Sequence, residues 1–243
     1  MKKSKHEHLL TLSLSALMLL GAVSCGSDDD DDDDIGASQQ EQEVGVYRAT
    51  LSPLNNSVSG TPAGEAVVTI LGDELTVLVN ANGVPQNMQH LQNIFVGPSC
   101  PTAAADVNAD GFVDLVEALP STGKILVPLD GSLDDQASGA NDYPSASGTG
   151  TYVYSESASL SRFLSDLRSP DTTPEDPIAK IGAEEPLNLG GRVLIVHGVA
   201  PTTSLPGTVA SIPGVPASAT LPILCGRLER AVGGDTGGTN GNL

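Results

Sequence analysis

Two apolar-rich runs, Ala66 to Leu71 and Glu74 to Val79, flank Gly72-Asp73, and a two-residue connection of this kind joins antiparallel strands. Closing a hairpin there opposes Ile70 with Leu75, Val68 with Val77 and Ala66 with Val79 on one face, and Thr69 with Thr76 on the other. The first face belongs to a core and the second is mixed, because side chains alternate along a strand with a period of two. Val44 to Leu51 reads as the preceding strand, and Ile125 to Leu129, Thr151 to Tyr154, Arg192 to His197 and Leu221 to Leu228 are further short β-rich runs. Many short strands separated by turns rich in Gly and Pro predict a mainly β chain, an antiparallel, Greek-key-like β-sandwich, rather than an α/β fold. One short helix interrupts it: Leu160, Phe163, Leu164 and Leu167 form a single apolar stripe. With no Trp and only three Phe and four Tyr in the chain, the core must be filled by Val, Leu, Ile and Ala. Residues 44–230 suffice for one domain, residues 171–185 read as a loop, and 231–243 as a flexible Gly-rich tail.

A loop insertion in this domain carries ion chemistry. Asp106-Val107-Asn108-Ala109-Asp110-Gly111-Phe112-Val113-Asp114-Leu115-Val116-Glu117 has the spacing of an EF-hand calcium loop. Asp106, Asn108 and Asp110 supply side-chain oxygens at positions one, three and five, and Phe112 a backbone carbonyl at position seven. Asp114 at position nine acts through a water, and Glu117 at position twelve reaches back with both oxygens. Gly111 permits the positive φ of the sharp turn, and Val113 is apolar, as a residue pinning the loop to a core should be. The alternative is chance in an acidic chain, which six constrained positions and a glycine make a poor account.

The start of the chain reads as an export signal, residues 1–24. Lys2, Lys3 and Lys5 precede an apolar run from Leu9 to Ala22, too short for a permanent membrane span. It ends in Ala22-Val23-Ser24-Cys25, which resembles the lipobox of bacterial lipoproteins, with Ala22 in place of the usual Leu. That resemblance implies acylation of Cys25 and a lipid-anchored protein of the bacterial cell envelope, periplasmic or at the cell surface. Residues 25–43 contain seven consecutive aspartates, Asp28 to Asp34, whose mutual repulsion makes a solvated tether. It serves either as a spacer or as a sorting signal of the kind seen beside acylated cysteines.

The formal net charge is −19, and loss of residues 1–24 removes three lysines and one glutamate. Nucleic acid is therefore a poor partner, since binding phosphates needs clustered Lys and Arg, whereas multivalent cations are good ones. With Cys25 acylated, Cys100 and Cys225 remain. An even pair in an exported protein points to a disulfide, here tying the entrance of the calcium loop to the last strand, with two buried free thiols as the alternative.

The strand Arg192 to Gly198, closing with His197, and the late Leu224-Cys225-Gly226-Arg227-Leu228 resemble the end of copper/zinc superoxide dismutases. In that family a valine-rich strand ends in a copper-ligating His, and a Cys-Gly pair bonds back to a central loop. The hairpin and the segment Met88 to Phe95 also resemble bacterial CHRD (chordin-type) domains, so that the likeness covers roughly residues 44–228. The dismutase pattern implies a His-x-His pair where this chain has Asn93 and Phe95, and the mature chain keeps only His90 and His197. Copper and zinc at such sites are selected by nitrogen ligands, so inherited catalysis is not expected. A weak second metal site at His90 and His197, or a copper-handling role, is the alternative reading. No Gly-x-Ser-x-Gly elbow, phosphate-binding loop or His-Glu-x-x-His is present. Asp130, Asp134 and Asp135 read as a solvated acidic turn, with a second cation site as the alternative. The function expected is that of a calcium-binding lipoprotein, a binding or structural module and not an enzyme.

Overall fold

The computed structural model describes residues 45–134, 142–170 and 178–231. The export signal, Cys25, the acidic tether, Asp135 and nearly all of the tail lie outside these residues. Strand β1 (Gly45–Pro53) leads through a single helical turn, α1 (Asn56–Ser59), into the hairpin β2 (Ala63–Leu71) and β3 (Glu74–Asn82). Then come β4 (Gln92–Phe95), a 3-10 turn (Ala103–Ala105), α2 (Leu115–Thr122), β5 (Ile125–Pro128), β6 (Thr151–Ser159) and α3 (Leu160–Leu167). The chain closes with β7 (Val193–His197), α4 (Ala217–Thr220), β8 (Pro222–Arg227) and the two-residue β9 (Glu229–Arg230).

All pairings between these strands are antiparallel, in the order β5-β4-β7-β8-β1-β2-β3-β6, with β9 also on β1. The hairpin has the register its apolar pattern specifies: Ile70 faces Leu75, Val68 faces Val77, Ala66 faces Val79 and Thr69 faces Thr76. In place of two separate sheets there is one curled sheet whose arms meet at β1. Residues 45–51 of that strand pair with β2, and Ser52 and Pro53 pair with Cys225 and Leu224 of β8. Gly226 makes the junction possible, since a Cβ there would lie 2.5 Å from the Thr50 carbonyl oxygen.

Both arms contribute to one core, in which Val68, Val77, Tyr152, Leu194 and Leu224 belong to a single buried cluster. Tyr152 in β6 donates its hydroxyl to Gln92 Oε1 in β4 at 3.0 Å, and Tyr154 donates to the Asp130 carbonyl at 2.8 Å. These buried bonds tie the far end of one arm to the far end of the other. Their burial pushes both phenols above the ordinary tyrosine range, Tyr154 also through the charges of Glu156 and Asp130.

The expectation of one helix needs correction. The apolar stripe does form α3, with Leu160, Phe163 and Leu167 buried and Ser159 as its N-cap. A second helix of eight residues, α2, leaves the acidic loop directly, despite Pro120 within it. Its start is a capping box: Asp114 Oδ1 accepts the Val116 and Glu117 N–H groups, and Glu117 Oε2 accepts the Asp114 N–H. The same two carboxylates that read as ion ligands are also a helix-start signal.

Candidate functional site

The loop Asp106–Glu117 is folded around its own acidic side chains. Asp106 accepts the Asp110 N–H on Oδ1 at 3.1 Å and the Gly111 N–H on Oδ2 at 2.9 Å. Asn108 Oδ1 accepts the Asp110 N–H at 2.9 Å, and Asp110 Oδ1 accepts the Phe112 N–H at 3.0 Å. Gly111 holds φ at +91°, a value that L side chains rarely adopt. Glu117, largely buried, reaches back to accept the Val107 and Asn108 N–H groups on Oε1 at 3.0 and 3.3 Å. Position twelve is thereby held against positions two and three, and the loop is closed.

Asp114 is more deeply buried than a water-linked ligand would need to be. Its Oδ1 caps α2, and its Oδ2 accepts the Ala210 N–H at 2.7 Å. Both oxygens are engaged with the protein, so its evident task is to fix the loop's exit. A neighbouring strap, the connection between β7 and β8, makes one further contact: the Thr208 hydroxyl donates to Asp110 Oδ2 at 2.6 Å. Val113 is 5% exposed and packs inward, as its position requires. Its backbone is held by the side chain of Asn55. Asn55, Thr208 and Ala210 carried no signal in the sequence. Each touches the loop across 58 to 98 residues, beyond the reach of any local pattern.

The donor set suits a hard cation, because every candidate ligand is an oxygen: carboxylates from Asp106, Asp110 and Glu117, the Asn108 amide and the Phe112 carbonyl. Among the described residues, no three His, Cys, Asp or Glu side chains stand together as a ready-made metal cluster. The carboxylates are instead turned to backbone N–H donors. An ion would compete with those donors for the oxygens, or use their remaining lone pairs.

The loop is fastened to the sheet by a Cys100–Cys225 disulfide, across 125 residues of chain. Cys225 lies on the face of β8 away from the main core, in a small apolar cluster with Phe95, Val193 and Ile195. Cys100, Leu54 and Ile125 pack against that cluster.

The two histidines are occupied differently. His90, fully buried, faces the His197 carbonyl with Nδ1 and the Pro85 carbonyl with Nε2, each at 2.9 Å, and stacks on Tyr152. Each ring nitrogen of His90 is thus faced by a backbone carbonyl, which occupies the direction from which a metal would approach. His197 faces the Leu91 carbonyl through Nδ1 at 3.3 Å, its Nε2 is buried without a partner, and Phe95 lies beside the ring. Burial holds its pKa down at about 4, against the opposing effect of the Leu91 carbonyl. Asn93 accepts the Tyr143 hydroxyl at 3.3 Å. The structure therefore does not assemble His90 and His197 into a paired imidazole site.

Asp130 departs from the solvated turn expected of it. It is buried between Leu129 and Leu133, which draw the segment into the core, and its Oδ1 accepts the Ser132 N–H. Asp134 pairs with Arg162 at 3.1 Å. Among the described residues no helix is long and apolar enough to cross a membrane.

No model of a known protein family matches the chain, and no curated protein matches it. The geometry of the loop and the arrangement of the histidines are therefore the grounds for a functional reading.

Proposed function

We propose that this chain is a calcium-binding lipoprotein of the bacterial envelope, whose β domain is a binding or structural module. The observation that carries the calcium reading is the return of Glu117 to the Val107 and Asn108 N–H groups. It brings the far carboxylate of the twelve-residue pattern back to the backbone of positions two and three, next in the chain to Asp106, and ligation at positions one and twelve of one ion requires such a return. Asp106, Asn108, Asp110 and Glu117 would bind through side chains and Phe112 through its carbonyl, with Asp114 holding the loop's exit. The ion supplies charge compensation for carboxylates gathered in one short loop. The non-catalytic reading is supported by Asn93 and Phe95 at the places where the dismutase pattern has imidazoles, and by the engagement of both ring nitrogens of His90. The lipid anchor rests on the sequence around Cys25.

Titration calorimetry of the purified protein tests the calcium reading. One calcium site is expected, with an affinity on the order of 10⁻⁴–10⁻³ M, as in many extracellular modules. Glu117→Gln should weaken it strongly, and identical binding in the two proteins removes the proposal. For the anchor, the full-length protein should partition into detergent and the Cys25→Ser variant should not.

A further inference from the structure

The residue before α1 is an asparagine, a favoured N-cap, yet its side chain makes no capping bond to that helix. The amide of Asn55 is spent elsewhere. Its Oδ1 accepts the Val113 N–H at 2.9 Å, and its Nδ2 donates both to the Val113 carbonyl and to the Pro222 carbonyl, each at 2.9 Å. One side chain thus pairs both backbone groups of the buried residue at loop position eight, as a neighbouring strand would, and links them to the first residue of β8. Asn55 itself sits at φ +52°, in the left-handed region that Asn tolerates better than most residues.

A peptide unit is planar and trans, so the direction of an N–H fixes that of the carbonyl on the same unit, which points the opposite way. The Val113 N–H shares its peptide unit with the Phe112 carbonyl. By holding that N–H, Asn55 turns the Phe112 carbonyl away from itself. We infer that Asn55 is the positioning residue of the ion loop, setting the backbone ligand at position seven by gripping the peptide unit from behind. This rests on the calcium reading above. The role suits a solitary loop: no second ion loop is present in the sequence to pair with it, and a side-chain amide takes that place.

The test uses europium as an oxygen-seeking stand-in for calcium, with luminescence decay in H₂O and D₂O counting the waters on the ion. Asn55→Gly keeps the positive φ and removes the amide. It should weaken calcium binding by about 10- to 100-fold, the usual cost of losing a group that orients a ligand. It should also add about one water to the bound europium, where the Phe112 carbonyl no longer reaches. Ser59→Ala breaks a different bond at α1, to the Leu54 and Asn55 carbonyls, and should change neither quantity. Asn55→Gly matching wild type in affinity and water count overturns the inference, as does an equal effect of Ser59→Ala. A wild-type protein that binds neither ion overturns the calcium reading itself, which is a distinguishable result. Should Asn55→Gly not fold, amide exchange of the wild type decides. The Val113 N–H should be protected before calcium is added, and protection that arises only with calcium overturns the inference.

Discussion

The arm β1-β2-β3-β6 alternates buried and exposed side chains along most of each strand, whereas β4 and β7 of the other arm are buried at every position and β8 at all but its last. The first arm has solvent on its outer face. The second has a second apolar layer there, Phe95, Val193, Ile195 and Cys225, covered by the chain that carries Cys100 and leads into the acidic loop. The difference shows how a small protein adds a long acidic loop to a sheet: it extends the apolar layer through the sheet and cross-links the covering segment to it. Apolar packing and strand pairing hold the first arm, and the second adds specific fastenings.

The largest effect that separates the arms should come from the staple. Cys100→Ser/Cys225→Ser should cost on the order of 4–5 kcal/mol in the chain-entropy model for a loop of this length, less where the reduced chain keeps structure. Urea denaturation measures it. If the mutant stays folded, its calcium affinity should also fall, by roughly 5- to 150-fold, and calcium should in turn make the disulfide harder to reduce. Equal affinities with and without the bond would make loop and staple independent.

Ile70→Ala, in the hairpin of the first arm, should cost about 2–5 kcal/mol as a cavity in a packed core, yet leave calcium affinity unchanged. A parallel loss of affinity would show that the acidic loop senses the whole core. His197 lies at the end of β7 in the second arm, and its folded pKa, pushed down to about 4, is below the ordinary 6.5. The unfolded chain therefore binds this proton first as pH falls. Its contribution is full above about pH 6.5 and is lost as pH falls toward 4, up to about 3 kcal/mol. Denaturation across this range should give a shallower pH dependence for His197→Gln than for wild type, whatever the absolute stability of the variant. An unchanged slope would assign the acid sensitivity to groups other than His197. The smallest effect belongs to the exit of the loop, where Asp114→Ala removes the cap of α2 and should cost about 0.5–2 kcal/mol, read by the same denaturation.

What the sequence revealed follows the same division. The β2–β3 register was legible because each pair is set by residues close in the chain with one face wet, and α3 because its stripe faces a single core. β7 was legible as a strand, but burial on both sides erases the alternation that would say which residues meet the second layer. α2 went unread because the letters of its capping box, Asp114 and Glu117, are also those of the calcium-loop pattern. The acidic loop announced itself through spacing, whereas Asn55, Thr208 and Ala210 are brought to it by the fold alone. Asp130 misled because an acidic residue beside Gly and Ser looks wet, and the leucines flanking its turn decide otherwise.

The doubly paired strand β1 also sets how the domain carries load. The Ala231 N–H donates to the Val46 carbonyl at 2.7 Å, and Tyr47 and Arg48 pair with Arg230 and Glu229, so the two ends of the domain leave side by side. A pull applied between those ends opens β9 from β1 as a zip, bond after bond, at low force. A pull on Gly45 resisted at the acidic loop takes another route: along β1 to Ser52, across to its partner Cys225, and through the disulfide to Cys100. On that route the load crosses from β1 to β8 through the Ser52–Cys225 and Pro53–Leu224 pairs, and the last link is covalent. Tension between the domain's own ends meets hydrogen bonds alone, whereas tension between its first strand and the acidic loop meets a covalent link as well.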